Sequence, residues 1–197
     1  MRPVKLTVLA ALVVGSAIMS AHTRPAVDIR YPNRTYEAAV STVREIPFRN
    51  FRYFLNGTSY QLRNGKAAVR KHLFYIDVDL GNVWYFDVKD GQPQRALVSL
   101  GLTEAAGSSS STGFLQVFKI EDGHPLVTQE FSYDLQARGA GESFDSTSLT
   151  LIIRARSDDD SAHCCAKNID IAVFKWRDDK FVLQQSRTVP IEDESRR

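Results

Sequence analysis

The chain has 197 residues, 43% of them hydrophobic and 24% charged, with 25 Lys and Arg against 23 Asp and Glu. That length gives one ordinary domain with enough chain to bury a core. Near-neutral charge gives no global field to attract polyanions, which argues against a nucleic-acid partner.

At the N terminus, Arg2 and Lys5 precede an apolar run from Leu6 to Ile18. A short positive head, an apolar stretch of this length and small residues after it read as a secretory signal peptide over residues 1–21. The run is shorter than the roughly 20 apolar residues of a membrane span. Cleavage after Ala17, with Gly15 three back, fits the small-x-small rule better than cleavage after Ala21, which leaves Met19 at that position; an uncleaved anchor is the alternative. No Cys lies near either site, which excludes a bacterial lipid anchor. The leader holds two of the positive charges and no acid, leaving 23 of each sign. Export removes the chain from nucleotide pools and reducing buffer. It also implies a secreted or periplasmic protein, not an integral membrane one once the leader is gone.

Residues 22–34 read as an extended lead-in with Pro25 and Pro32. Thr35 is placed to cap a short helix, since Tyr36, Val40 and Val43 fall at i, i+4 and i+7 and Pro47 ends the pattern. From there to residue 190 the chain reads as a single β-rich domain of antiparallel hairpins, mainly β with an α+β alternative left open by the short helix. Asn56-Gly57 and Asn64-Gly65 mark tight turns, because both central residues of a type I′ turn need positive φ. Phe74, Ile76, Val78 and Leu80 alternate with polar residues. Further strands are expected at Val83–Val88, Ala96–Leu102, Phe114–Ile120, Leu126–Tyr133, Leu149–Ala155, Ile169–Trp176 and Phe181–Gln185. Three hairpins share an aromatic strand followed by an acidic turn: Phe86 to Gly91, Phe118 to Gly123 and Phe174 to Asp179. Their irregular spacing argues for similar hairpins in one sheet system, not for a repeat array. Ala105–Gly113, rich in Ser and Gly, reads as a flexible loop, and residues 191–197 as a disordered tail.

Between Ile46 and Ile76 lie Arg49, Arg52, Arg63, Lys66, Arg70 and Lys71 with no acid, interleaved with Phe48, Phe51, Tyr53, Phe54, Tyr60 and Phe74. Such a stretch either contacts an acidic ligand or is a set of strands with aromatics inward and cations outward. Arg49, Arg52, Arg63, Lys66 and Arg70 are the candidate contact residues.

Cys164 and Cys165 are the only cysteines, and they are adjacent. Neighbours close only a small, strained ring, so a vicinal disulfide, two free thiols and bridges to another chain all stay open. With His163 beside them, a redox or soft-metal role is the alternative to a structural pair; a closed zinc site lacks a local fourth ligand. Asp87-Val88-Lys89-Asp90-Gly91 fails as a calcium loop, because Lys89 and Gly91 stand where oxygen ligands are needed. No Gly-x-Ser-x-Gly elbow and no His-Glu-x-x-His occurs, so no catalytic residue, metal or cofactor is assigned.

The order of motifs resembles exported bacterial proteins of unassigned activity. It runs from Phe48-Arg49-Asn50-Phe51-Arg52-Tyr53, through Leu62-Arg63-Asn64-Gly65, to a strand–Asp loop–strand over Trp84 to Leu100. The last is similar to the hairpins of FG-GAP-like repeats. A Ser/Gly-rich loop, an aromatic strand, the Cys-Cys pair and the Trp176 to Phe181 hairpin follow. The resemblance implies an exported, β-rich domain and supplies no activity. The expectation is a non-catalytic binding or structural module of the envelope or extracellular space, with a protein or glycan partner. The alternatives are a redox or metal protein centred on the cysteines and a secreted hydrolase inhibitor.

Overall fold

The computed structural model describes residues 27–71, 73–105, 109–135, 140–154 and 168–190. The segment 1–21 expected to be a leader, the Cys164–Cys165 pair and residues 191–197 lie outside the described residues. Among the described residues, thirteen strands form three antiparallel sheets. In chain order they are β1 (Val27–Arg30), β2 (Arg34–Thr35), β3 (Arg52–Leu55), β4 (Thr58–Gln61), β5 (Lys66–Lys71), β6 (Phe74–Lys89) and β7 (Gln92–Ala105). Then come β8 (Ser109–Glu121), β9 (His124–Asp134), β10 (Gly141–Asp145), β11 (Ser148–Arg154), β12 (Asn168–Arg177) and β13 (Lys180–Pro190).

The seven-stranded sheet runs β1-β9-β8-β7-β6-β5, with β2 also on β9. The four-stranded sheet runs β10-β11-β12-β13, and β3-β4 form a hairpin of their own. The large sheet is covered on both faces, which explains the unbroken buried runs Ala96–Leu100 and Phe114–Phe118. Side chains alternate between faces along a strand. Ala96, Val98, Leu100, Phe114 and Phe118 therefore enter one core, beneath the β3-β4 hairpin. Leu97, Leu115, Val117 and Phe131 enter the other, beneath the four-stranded sheet. Aromatic rings concentrate in both. Phe118 has Tyr36, Phe48, Phe51 and Tyr53 within 6.3 Å. Phe86 meets Phe144, Trp176 and Phe181 on the other face.

The two layers on that second face are joined by side chains that behave like backbone. Gln129 of β9 is fully buried; its Nε2 donates to the Phe181 carbonyl at 2.9 Å and its Oε1 accepts from the Phe181 N–H at 2.8 Å. Tyr133 donates to Glu142 Oε2 at 2.7 Å, and the Ser99 hydroxyl donates to the other oxygen of the same carboxylate.

The three acidic-turn hairpins are β6-β7, β8-β9 and β12-β13. Asp90, Asp122, Asp178 and Asp179 hold positive φ there. They divide between two sheets. Strands expected at Phe74 and at Val83 are one 16-residue strand, β6, with a register shift between Leu80 and Val83.

Two expectations are corrected. The short N-terminal helix does not form. Tyr36 N–H donates to the Pro125 carbonyl and Val40 N–H to the Gly123 carbonyl, each at 2.9 Å, so the segment is bound across the β8-β9 turn. Only single 3-10 turns at Val43–Glu45 and Phe48–Asn50 remain. A segment this short nucleates a helix poorly on its own, and tertiary hydrogen bonds decide its conformation. The Ser/Gly-rich loop is also largely strand. Ala105 ends β7, and Ser109–Gly113 open β8 in register with Gly101–Ala105. The lead-in is partly strand as well, since β1 pairs β9 from Val27↔Tyr133 to Arg30↔Glu130.

Candidate functional site: an opened hairpin with a basic rim

Asn64 and Gly65 sit at φ 53° and 86°, the positive values a two-residue hairpin turn requires. The flanking residues close as expected: Arg63 N–H donates to the Lys66 carbonyl at 2.8 Å and Lys66 N–H to the Arg63 carbonyl at 3.2 Å. A continuing ladder would next pair Gln61 with Ala68 and Ser59 with Arg70. It does not continue. β4 pairs only with β3, and β5 only with β6. The hairpin opens because its arms belong to different layers. Tyr60 and Leu62 are buried in the core under the β3-β4 hairpin, whereas β5 lies in the plane of the large sheet, held by six register pairs to β6.

Between the arms lies a cleft of about 280 Å³, lined by residues 59–61, Arg63 and Lys66–Val69. Backbone polarity alternates along an antiparallel strand. The Arg63–Lys66 bridge therefore sets the groups of Gln61, Ser59, Ala68 and Arg70 toward the cleft, and Leu62 N–H and Gly65 C=O away from it. Leu62 N–H donates to Phe51 and Gly65 C=O accepts from Leu80, which fits this alternation. The two edges thus face one another with no ladder bond between them.

The five basic candidates fall around this hairpin in different settings. Arg63, Lys66 and Arg70 share one face of the opened hairpin by register. Lys66 is 3.3 Å from Asp79, with both side chains exposed. Arg70 is 2.7 Å from Asp77 and stacks on Tyr75 at 4.9 Å from the ring centre. The acid-free stretch is thus partly neutralised by β6, whose acids begin one residue beyond it. Arg49 donates to the Asn64 carbonyl at 3.4 Å and steadies the turn. Arg52 lies on the outer side of β3, opposite Gln61. Among the described residues, Arg52 and Arg63 have no carboxylate partner. Most of the interleaved aromatics point inward: Phe48, Phe51, Tyr53 and Tyr60 are all buried.

The hairpin is tied to the large sheet by a buried polar cluster. Gln116 Nε2 donates to the Phe54 carbonyl at 3.1 Å and to Glu130 Oε2 at 2.6 Å. Arg34 stacks on Phe54 at 4.8 Å and donates to the same carbonyl at 3.5 Å. Burial pushes the Glu130 carboxyl above the usual carboxylate range; the Gln116 bond and the charges of Arg34 and Arg30 pull it back in part.

Sequence reasoning named the basic residues but not Ser59, Gln61 or Ala68, whose part is played by main-chain groups. Their one signal was the Asn64-Gly65 turn. Among the described residues no group of three or more His, Cys, Asp or Glu is placed to hold a metal ion. Among them, too, no helix is long and apolar enough to cross a membrane. Comparison with protein-family profiles, curated proteins and solved structures finds no match.

Proposed function

We propose that this chain is an exported, non-catalytic binding module of the cell envelope or extracellular space, and that it takes an extended partner segment along the free edge of β5. The N-terminal Arg2/Lys5 head and Leu6–Ile18 run support export. The observation that carries the binding reading is the opened hairpin: two strand edges, started in register by Arg63 and Lys66, face a cleft with main-chain groups unpaired. An added strand satisfies those groups, and main-chain bonding of this kind is a recurring mode of peptide recognition.

Selection of random decapeptides against the protein tests the reading. The expected binders slow hydrogen exchange at the Ala68 and Arg70 amides and lose affinity with Ala68→Pro, which deletes the N–H facing the cleft. Failure to select any binder, or footprints confined to other strands, overturns it. The intact mass of protein recovered from its native exported fraction tests export. A start after Ala17 or Ala21 is expected, and a mass retaining Met1 overturns that part.

A further inference from the structure

From the side-chain chemistry of β5 and of the turn before it, we infer that the segment taken by the opened hairpin is acidic, with a carboxylate at the position opposite Ala68. This inference rests on the strand-taking reading above. Residues two apart on a strand share a face, and bridge partners share a face across it. Arg63, Lys66, Ala68 and Arg70 therefore form one row of the opened hairpin, three cations around one small residue. Ala68 is exposed, as are Arg63, Lys66 and Arg70.

An incoming strand beside β5 places one residue directly opposite Ala68, and its diagonal neighbours are Lys66 and Arg70. Diagonal positions are about 7–8 Å apart, within reach of long side chains. A Glu there lies between an ammonium and a guanidinium, and the methyl of Ala68 leaves room for it. Alternate residues of the segment meet the same row, so an alternating acidic pattern is favoured over a compact acidic cluster. Asp77 and Asp79 are the competing carboxylates. They sit on β6, on the far side of β5 from the cleft. The Lys66–Asp79 pair is solvent-exposed, and exposed pairs exchange partners at little cost. Arg70 is held more firmly, by a half-buried Asp77, the Tyr75 ring and the Ile76 carbonyl, so Lys66 and Arg63 are the cations most available to the incoming carboxylate. Arg63 carries no such pair among the described residues. The other wall, Ser59 to Gln61, adds no charge of either sign.

Three decapeptides of equal length and alternation test this on the full exported chain: Thr-Glu, Thr-Gln and Thr-Lys repeats, followed by fluorescence anisotropy. The expected order is Thr-Glu at least tenfold tighter than Thr-Gln, with Thr-Lys weakest. Lys66→Glu combined with Arg63→Glu is expected to reverse that order. Ala68→Glu, a surface change that leaves the fold intact by thermal melting, is expected to weaken Thr-Glu selectively. Equal affinity for Thr-Glu and Thr-Gln overturns the acidic preference while leaving the strand-taking reading in place. Binding of none of the three, in a protein that also selects no random peptide, overturns both. A sulfated oligosaccharide that competes for Lys66 but ignores Ala68→Pro marks a glycan surface and overturns the inference in favour of that ligand.

Discussion

Gly113→Ala should be one of the most damaging single-methyl changes in the protein, for a reason of space and not of backbone conformation. An added Cβ would stand 2.5 Å from Cζ of Tyr133 and 2.8 Å from its hydroxyl oxygen. The ring belongs to the cross-strand partner, Gly113↔Tyr133. It is buried, and its hydroxyl donates to Glu142 at 2.7 Å. The ring must therefore move, and moving breaks its bond to the second sheet. Overpacking costs about 1–3 kcal/mol, and a hydrogen bond to a charged acceptor contributes about 1.5–3 kcal/mol. Replacing glycine in a strand returns roughly 0.5–1 kcal/mol. The net loss is about 1.5–5.5 kcal/mol, a fall in Tm of roughly 3–20 °C for a chain of this size. Gly101 supplies the matched control. It pairs with Gly113 in the same cross-strand row, yet a Cβ there meets nothing within 4 Å. Urea unfolding of both alanine variants, with Tyr133→Phe to isolate the hydrogen bond, measures the difference. If Gly113→Ala unfolds within about 0.5 kcal/mol of the parent, or Gly101→Ala loses as much, the steric account fails.

Gln129→Leu removes the amide that satisfies both main-chain groups of Phe181. With each of the two buried orphans costing about 1–3 kcal/mol, the expected loss is roughly 2–6 kcal/mol by urea unfolding; a neutral result would show that water replaces the amide. Glu130 has its carboxyl raised by burial, so the native state holds that proton more tightly than the unfolded chain. Its stabilising contribution is complete below the usual carboxylate range and is lost as pH rises through the higher native value. Glu130→Gln should therefore gain stability relative to the parent between pH 4 and pH 7, and a difference that does not vary with pH in thermal melts would refute this. Gly65→Ala forces a side chain into φ 86° with only ordinary contacts around it. It should cost about 1–2 kcal/mol. Gly57→Ala, at φ 79° with nothing within 4 Å, should cost the same within about 0.5 kcal/mol.

The turns were readable because their chemistry is local. Asn56-Gly57, Asn64-Gly65, Asp90-Gly91 and Asp122-Gly123 all take the positive φ their side chains tolerate. Most strands were readable from alternation and from runs that stay apolar on both faces. The helix at Thr35 was misread because i, i+4, i+7 spacing over one short segment does not reveal that Pro125 and Gly123 accept its amide protons. Ser109–Gly113 was misread because its composition suits a loop, whereas its position between β7 and β9 makes it a strand. The basic residues of the site stood out in the sequence. The cleft beside them did not, since it exists only because Tyr60 and Val69 belong to different layers, and no local pattern encodes that parting. Asp77 and Asp79 went unassigned as partners because no strand is expected at Lys66–Lys71, where β5 pairs with β6.

The pairing of β1 and β2 with β9 has a bearing on the order of assembly. Strands β6 to β9 follow one another as adjacent hairpins, contacts that form quickly because little loop entropy opposes them. β1 closes onto β9 only across a separation of about a hundred residues. A chain made from its N terminus thus carries β1 unpartnered until nearly two thirds of its length is complete. Once β9 is made, its outer edge stands open to any other chain until β1 docks. β1 and β2 act as a late seal, so truncating residues 27–35 should favour aggregation during folding more than it weakens the finished protein.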